Sequence, residues 1–466
     1  ECLSSFSFTN TRLHKIVEAC EGTFEWLWEH PQYKNWSIPG VSSILLIEGK
    51  PGSGKSTLTK YFNEHMSERQ PAASSAIVAK FFYSYRDGSL HRSHHSMLRS
   101  LLYDIISQDH AFFYHIQSEY RIGRCDKGSG AVDWDYDLLK RMLKSLLGYL
   151  LPRPLYLIID AVDESDDEDR RDIIKLLFQL GANKMYGTVK IFVASRPVVQ
   201  LDVRRKTINS IIRLQDETVD DISRFARSML GGLNVSLLLD KATNYIIDNA
   251  NGVFIWVKLV GYELEASLED GESEDAIFQR LKKLPTELDD LYQLMFERLD
   301  NKPHTADSIT MFQSVFWAAK QVTADELLQV VAISNIANME SLTDEALEMR
   351  IPLRARITHC GGNFLELKES NGRKETVQIM HQTVREFFFH PDGYAAKTKF
   401  VMCGRDAIAR ISRLCLQYLI LCARCTTLAK KISATRFWSS EHYDAYASYL
   451  DKRPLVSYAL AFFELH

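Results

Sequence analysis

ILLIEGKPGSGKSTLTKYF, residues 44–62, decides the fold of this chain. A short apolar run reads as a buried strand. Gly49-Lys50-Pro51-Gly52-Ser53-Gly54-Lys55-Ser56 then fits G-x-x-x-x-G-K-[ST], and a helix-compatible run follows at once. Glycines let successive backbone N–H groups turn inward into an anion-binding nest. The nest opens onto a helix N-terminus, where unsatisfied N–H groups and the dipole also favour phosphate. In that geometry Lys55 reaches the β- and γ-phosphates, and the Ser56 hydroxyl ligates Mg²⁺. The expected nucleotide-binding set is Gly49, Lys50, Pro51, Gly52, Ser53, Gly54, Lys55, Ser56 and Thr57, for a nucleoside triphosphate.

Working outward, 466 residues suggest about three domains. A hydrophobic fraction of 46% with 25% charged residues is that of an ordinary globular protein, and burial is no limitation at this size. A net charge of −4 shows no nucleic-acid or membrane surface. No apolar run reaches the ~18–20 residues that span a bilayer. The chain opens on Glu1 with no charged-then-apolar leader, and reads as an excerpt of a longer protein. Eight irregularly spaced cysteines point to reduced thiols in an intracellular protein. Cys422 and Cys425 form C-x-x-C inside an apolar helical pattern, where cysteine behaves as a small hydrophobe rather than a zinc ligand. His91, His94 and His95 have no acidic or Cys ligand at matching spacing, and read as a polar entry into a helix.

Residues 1–36 read as an amphipathic helical linker, with Leu13, Ile16, Val17, Phe24, Leu27 and Trp28 at 3–4 spacing. Further strands are expected at 76–85, 155–160, 189–194 and 210–214, with helices between them and a loop near 121–130. Strands alternating with helices imply a parallel sheet covered on both faces, here over residues 37–215. Residues 216–284 are helical only. Residues 285–392 carry helices and then a hairpin, with Asn371-Gly372 between alternating strands at 363–367 and 375–380, which suggests a winged helix. Residues 393–466 read as further helices. The fold class is therefore an α/β P-loop NTPase with an additional-strand parallel sheet, followed by a helical domain, a winged-helix domain and more helices.

A phosphate loop alone separates neither kinase, GTPase, motor nor switch. LYLIIDAVDESD, residues 155–166, narrows the choice. A hydrophobic strand ending in Asp160 is where such folds place the carboxylate of the Mg²⁺ shell. Asp163 and Glu164 lie just beyond, where a carboxylate orients or deprotonates the attacking water. IFVASRP, residues 191–197, is another strand, expected between the phosphate-loop strand and the Asp160 strand. Its C-terminal end would face the γ-phosphate, and the Arg196 guanidinium suits phosphate oxygens there. No N-K-x-D-type guanine-reading signature accompanies these elements.

These residues resemble the NACHT-type NTPases of the STAND class, in their fungal branch. The resemblance is carried, in order, by CEGTFEWLWEHPQYKNW, ILLIEGKPGSGKSTL, FFYSYRDGSLHRSHHSMLRSLL, LYLIIDAVDES, VASRP, ANGVFIWVKLV, LPTELDDLYQLMFERL, GGNFLELKES…VQIMHQTVREFF and RPLVSYALAFFELH. It implies ATP or ADP with Mg²⁺, the phosphate-loop roles for Lys55 and Ser56, the Mg²⁺ role for Asp160, and a hydrolytic pair of Asp163 and Glu164. Arg196 would be the phosphate sensor, and His381 the residue that holds the β-phosphate of ADP in a closed state. Where many STAND proteins have Gly-x-Pro against the adenine, this chain has Gly252-Val253-Phe254.

The function so implied is a nucleotide-governed signalling switch like those of fungal non-self recognition and regulated cell death. It would hydrolyse ATP slowly, self-associate on activation and work in the cytoplasm. An effector before this region and sensor repeats after it would belong to the longer protein. The alternative is a P-loop kinase, for whose acceptor pocket and lid the sequence shows no signature, or a remodelling ATPase, which usually carries a sensor Arg in its helical lid; the winged-helix portion with His381 suits a switch better. Residues 303–390 hold 8 Lys/Arg against 11 Asp/Glu, a poor partner for a nucleic-acid backbone.

Overall fold

A computed structural model describes the chain except residues 1, 9, 126–133, 183–186, 209, 232–238, 301–303, 337–346, 350, 371–372, 401, 425–439 and 463–466. The described chain forms two compact units, Glu1–Leu284 and Pro285–His466.

The first unit is built on five strands: β1 (Ser43–Glu48), β2 (Ile77–Phe82), β3 (Leu155–Asp160), β4 (Val189–Ser195) and β5 (Ser210–Arg213). All pairings are parallel and the order is β2-β3-β4-β1-β5. The additional strand β4 therefore lies between the phosphate-loop strand and the Asp160 strand, as expected. Strand period sorts the side chains onto two faces. Ile44, Leu46, Phe81, Leu157 and Ile191 join one core with the helices His94–Gln108, Tyr136–Lys144 and Arg170–Gly181. Leu45, Ile47, Ile158, Phe192 and Ala194 join another, under Pro31–Ser37 and the phosphate-loop helix Lys55–Arg69. There Phe62 stacks on Phe192 with centroids 4.4 Å apart, a pair worth about 0.5–1.5 kcal/mol beyond the area it buries. Both faces being covered explains why the strands read as continuous apolar runs rather than alternating ones.

The N-terminal residues differ from expectation. In place of one amphipathic helix the structure has short pieces: Cys2–Phe6, Arg12–Lys15, a 3₁₀ turn Glu25–Trp28 and Pro31–Ser37. Gly22 and Phe24 both take positive φ (75° and 65°), which interrupts a right-handed helix. Val17, assigned to the apolar stripe, is 63% exposed. Phe24, Leu27 and Trp28 are buried, but against the sheet domain. The expected loop near 121–130 is also shorter at its start, because the helix Gln117–Cys125 runs through it.

After β5 come Val219–Leu230, Leu239–Asn249, Phe254–Glu269 and Glu274–Leu281, all helical. The second unit packs Leu288–Asp300, Thr305–Trp317 and Ala324–Ser334 with the antiparallel hairpin β6 (Leu365–Ser370) and β7 (Arg373–Ile379). The turn residues Asn371 and Gly372 lie outside the described residues. Phe296, Phe312, Phe364 and Phe388 are buried at its centre. Thr323 and Glu326 form a capping box that starts the helix beside β7, and Val377 N–H donates to the Val322 carbonyl (2.9 Å). No helix among the described residues is long and apolar enough to cross a membrane.

Candidate nucleotide site

The phosphate loop leaves β1 with Gly49 N–H donating to the Ser195 carbonyl (3.3 Å), so it begins anchored to the additional strand. Gly52 has φ 73° and its missing Cβ would lie 2.2 Å from Ile255 Cγ2, so glycine is required twice over. Its carbonyl accepts from Ile255 N–H (3.3 Å), and Lys50 Nζ donates to the Asn251 carbonyl (3.4 Å). The helical segment that follows the sheet thus backs the loop directly. Gly54 (φ 88°) is the N-cap residue, and Lys55 opens the helix. Ser53 is buried and its Oγ has no hydrogen-bond partner among the described residues.

Lys55 Nζ donates to the Gly49 and Lys50 carbonyls (2.9 and 2.8 Å). Burial pushes its pKa down to about 8, against the opposing pull of Asp163, with Arg196 adding to the depression. Asp160 is fully buried at the end of β3. Thr59 Oγ1 donates to its Oδ1 (3.2 Å), while Oδ2 has no partner among the described residues. Burial raises the Asp160 pKa to about 6, opposed by the Ser56 hydroxyl and the Arg12 charge and reinforced by Glu164 and Asp163. A buried carboxylate with one unsatisfied oxygen beside a serine hydroxyl is a hard oxygen donor set that suits Mg²⁺, which typically takes one or two protein oxygens plus phosphates. No cluster of three or more His, Cys, Asp or Glu among the described residues is disposed to hold a metal without that help.

Ala161 adopts φ 56° and turns the chain into the 3₁₀ turn Val162–Glu164, which brings the acidic pair back over the strand end. Asp163 Oδ1 accepts from Arg196 N–H (3.0 Å), and its Oδ2 lies 3.1 Å from Arg196 Nε. The expected phosphate sensor therefore holds the expected hydrolytic carboxylate. Glu164 Oε2 accepts from Tyr85 N–H (2.8 Å), just past β2. Lys55, Ser56, Asp160, Asp163, Glu164 and Arg196 thus gather at the C-terminal ends of β1, β3 and β4. Thr57 sits in the first turn of the same helix, half-buried.

His381 belongs to the second unit. It is the N-cap residue of Gln382–Phe389, with Nδ1 accepting from Thr383 N–H (3.3 Å). Phe254, third residue of Gly252-Val253-Phe254, is half-buried beside Gly54 and lies 6.3 Å from Phe24 and 5.6 Å from Phe225 between centroids. The three histidines make separate bonds: His94 Nδ1 to Tyr83 Oη (2.8 Å), His95 Nε2 to the Trp134 carbonyl (2.7 Å) and His91 Nε2 to Thr11 Oγ1 (3.3 Å). Ser93 caps the helix they introduce. Cys425 of the C-x-x-C pair lies outside the described residues.

Sequence reasoning missed Arg12, Tyr85 and Asp221. Asp221 accepts from Phe24 N–H (3.1 Å) and Trp26 Nε1 (2.8 Å), which ties the N-terminal residues to the first helix after the sheet. A backbone donor and a lone arginine leave no pattern in a sequence; only the DD pair opening that helix hinted at a capping role.

Residues 22–196 match the family model described as Nephrocystin 3, N-terminal, a span from just before Phe24 to Arg196. The chain is 24% identical over 402 residues to the vegetative incompatibility protein HET-E-1 of Podospora anserina. That alignment covers 83% of this chain and 28% of the relative, so the chain spans little more than a quarter of that protein's length. Among solved structures, the Drosophila ORC bound to DNA is matched at 9% identity, over 83% of this chain and 90% of that one, with a TM-score of 0.38. Cdc6p of Pyrobaculum aerophilum is matched at 13% identity, over 82% and 95%, with a TM-score of 0.32. Scores this low support nothing further, and the fold rests on the strand order. Residues 22–196 thus match the Nephrocystin 3 N-terminal model, the chain is similar at 24% identity to a fungal incompatibility protein, and its parallel strand order is that of an additional-strand P-loop fold.

Proposed function

We propose that this chain is an ATP/ADP-governed signalling switch that hydrolyses ATP slowly and self-associates when opened. What supports it most is the gathering of Lys55, Asp160, Asp163, Glu164 and Arg196 at one end of the sheet. Lys55 exchanges the Gly49 and Lys50 carbonyls for the β- and γ-phosphates, and the loop amides hold the rest of the chain of phosphates. Arg196 exchanges Asp163 for the γ-phosphate, a charge-assisted contact of matched geometry. Asp163, so released, and Glu164 orient the attacking water and take its proton, and ADP and inorganic phosphate leave. Ser56 and Asp160 would hold Mg²⁺, which would neutralise developing phosphate charge. The half-buried Phe254, with Phe24 and Phe225, offers an apolar face for the base in place of the family's proline.

A role for His381 in holding the β-phosphate of ADP is proposed on the family resemblance alone. Moving a two-state equilibrium from 1:99 to 99:1 needs about 5.5 kcal/mol of differential affinity. One charge-assisted bond contributes about 1.5–3 kcal/mol, so His381 acts with other contacts. A role in non-self recognition or cell death is read from the name of the fungal relative, and a cytoplasmic setting with flanking effector and repeat regions from the family resemblance alone. Calorimetry on nucleotide-free protein with ATP or ADP and Mg²⁺ tests the reading. Binding of both is expected; no heat of association with either would sink it.

A further inference from the structure

Phe6 packs in the core on one face of the sheet and Phe24 in the core on the other. The chain between them must cross an edge of the sheet, and it crosses the ligand end. Asn10 Nδ2 donates to the Phe82 carbonyl (3.2 Å), and Phe82 is the β2 residue paired in register with Asp160. Thr11 then meets His91, Lys15 Nζ bonds Asp87 Oδ1 (2.5 Å), and Lys60 of the phosphate-loop helix donates to the Ile16 carbonyl (3.1 Å). Residues 10–16 are therefore tied to β2 at one end and to the phosphate-loop helix at the other.

Arg12 sits in the middle of that crossing. It is only 7% exposed, and its buried Nε has no hydrogen-bond partner among the described residues. Its N–H is held by Asn10 Oδ1 (3.1 Å), which fixes where the side chain starts. Its positive charge acts on both Asp160 and Asp87. A structural counter-ion would bond one of those carboxylates, yet Lys15 takes only Asp87 Oδ1, and Asp87 Oδ2 and Asp160 Oδ2 both stay without a hydrogen-bond partner among the described residues. A buried guanidinium nitrogen left unsatisfied is costly unless an acceptor arrives from outside.

We propose that Arg12 is a contact for the terminal phosphate of a bound nucleoside triphosphate, delivered by the N-terminal crossing segment rather than by the sheet. The site then reads the γ-phosphate from two sides, Arg196 on β4 and Arg12 over β2 and β3. Because the segment is tethered at both ends, loss of the γ-phosphate changes what holds it in place. This rests on the switch reading given above.

The test is calorimetry on the full chain, stripped of nucleotide, with Mg²⁺ and either ATPγS or ADP, for the unaltered protein, Arg12→Ala and Arg12→Lys. Arg12→Ala should weaken ATPγS by about 10- to 100-fold, the worth of one charged hydrogen bond, and ADP by less than about threefold. Arg12→Lys should recover part of the loss. Should Arg12→Ala fail to fold, Asn10→Ala, which loosens the tether and keeps the charge, must show the same selectivity for ATPγS. Equal losses for both nucleotides, or none, would overturn the assignment and leave the switch reading intact. An unaltered protein that binds neither nucleotide overturns the switch reading instead.

Discussion

At the residue scale the site is a set of mutually occupied charges. Lys55 is spent on two carbonyls, Arg196 on Asp163 and Glu164 on a backbone N–H, so nucleotide must displace partners rather than fill a void. Lys55→Ala should abolish tight ATP binding, a loss of about 100-fold or more in a titration. Lys55 has a folded pKa near 8, below its ordinary value, so it loses its proton as pH rises through 8. Phosphates bind the charged form; affinity should therefore fall above pH 8, by up to about tenfold per pH unit, in calorimetry at stepped pH. Asp160 is shifted the other way: its folded pKa of about 6 means that the nucleotide-free fold binds a proton more readily than the unfolded chain. Its burial thus costs stability above pH 6, and that cost fades as pH falls through 6. Asp160→Asn should leave the melting temperature of the nucleotide-free protein unchanged or higher, while erasing the Mg²⁺-dependent gain in ATP affinity. A large fall in melting temperature would contradict this account. Glu164→Gln should keep ATP bound and slow its loss, as seen by chromatography of the nucleotide over time.

At the element scale two joints position the loop. One is the start of Phe254–Glu269 against Gly52, where a side chain at residue 52 would strike Ile255. The other is Asp221, which holds Phe24 and Trp26 with two hydrogen bonds while itself buried. Asp221→Ala leaves one buried and one part-buried donor unsatisfied and should cost about 1–3 kcal/mol in a denaturant titration. A change within about 0.5 kcal/mol, the range of a surface substitution, would show that joint to be unimportant. Each joint lies far apart in sequence, which is why neither was visible before the chain folded. The same reason undid the amphipathic helix expected for residues 1–36. Of its apolar residues, Phe24, Leu27 and Trp28 join the core on one face of the sheet, while Val17 is exposed. Phe6, earlier in the segment, packs on the other face, which a single straight helix cannot reach as well.

On the scale of the whole molecule, the proposed switch is tested by ADP release and self-association. His381→Ala should speed ADP release and raise the oligomer fraction in light scattering after chromatography. Unchanged release and assembly together would remove His381 from the clamp. The parallel sheet, the place of β4 between β1 and β3, and the proposed site residues Lys55, Ser56, Asp160, Asp163, Glu164 and Arg196 were read from linear patterns, and the structure brings those residues to one end of the sheet. Those patterns are local: a buried strand is an apolar run, a phosphate loop is glycine at set spacing, and an acidic strand end is read in a dozen residues. What stayed hidden was pairing between distant segments: Arg196 with Asp163, Glu164 with the Tyr85 amide, and Arg12 carried across the sheet end. Such contacts involve single side chains and backbone groups with no periodicity. Their energy comes from burial and from a partner brought near by packing, so folding alone settles them.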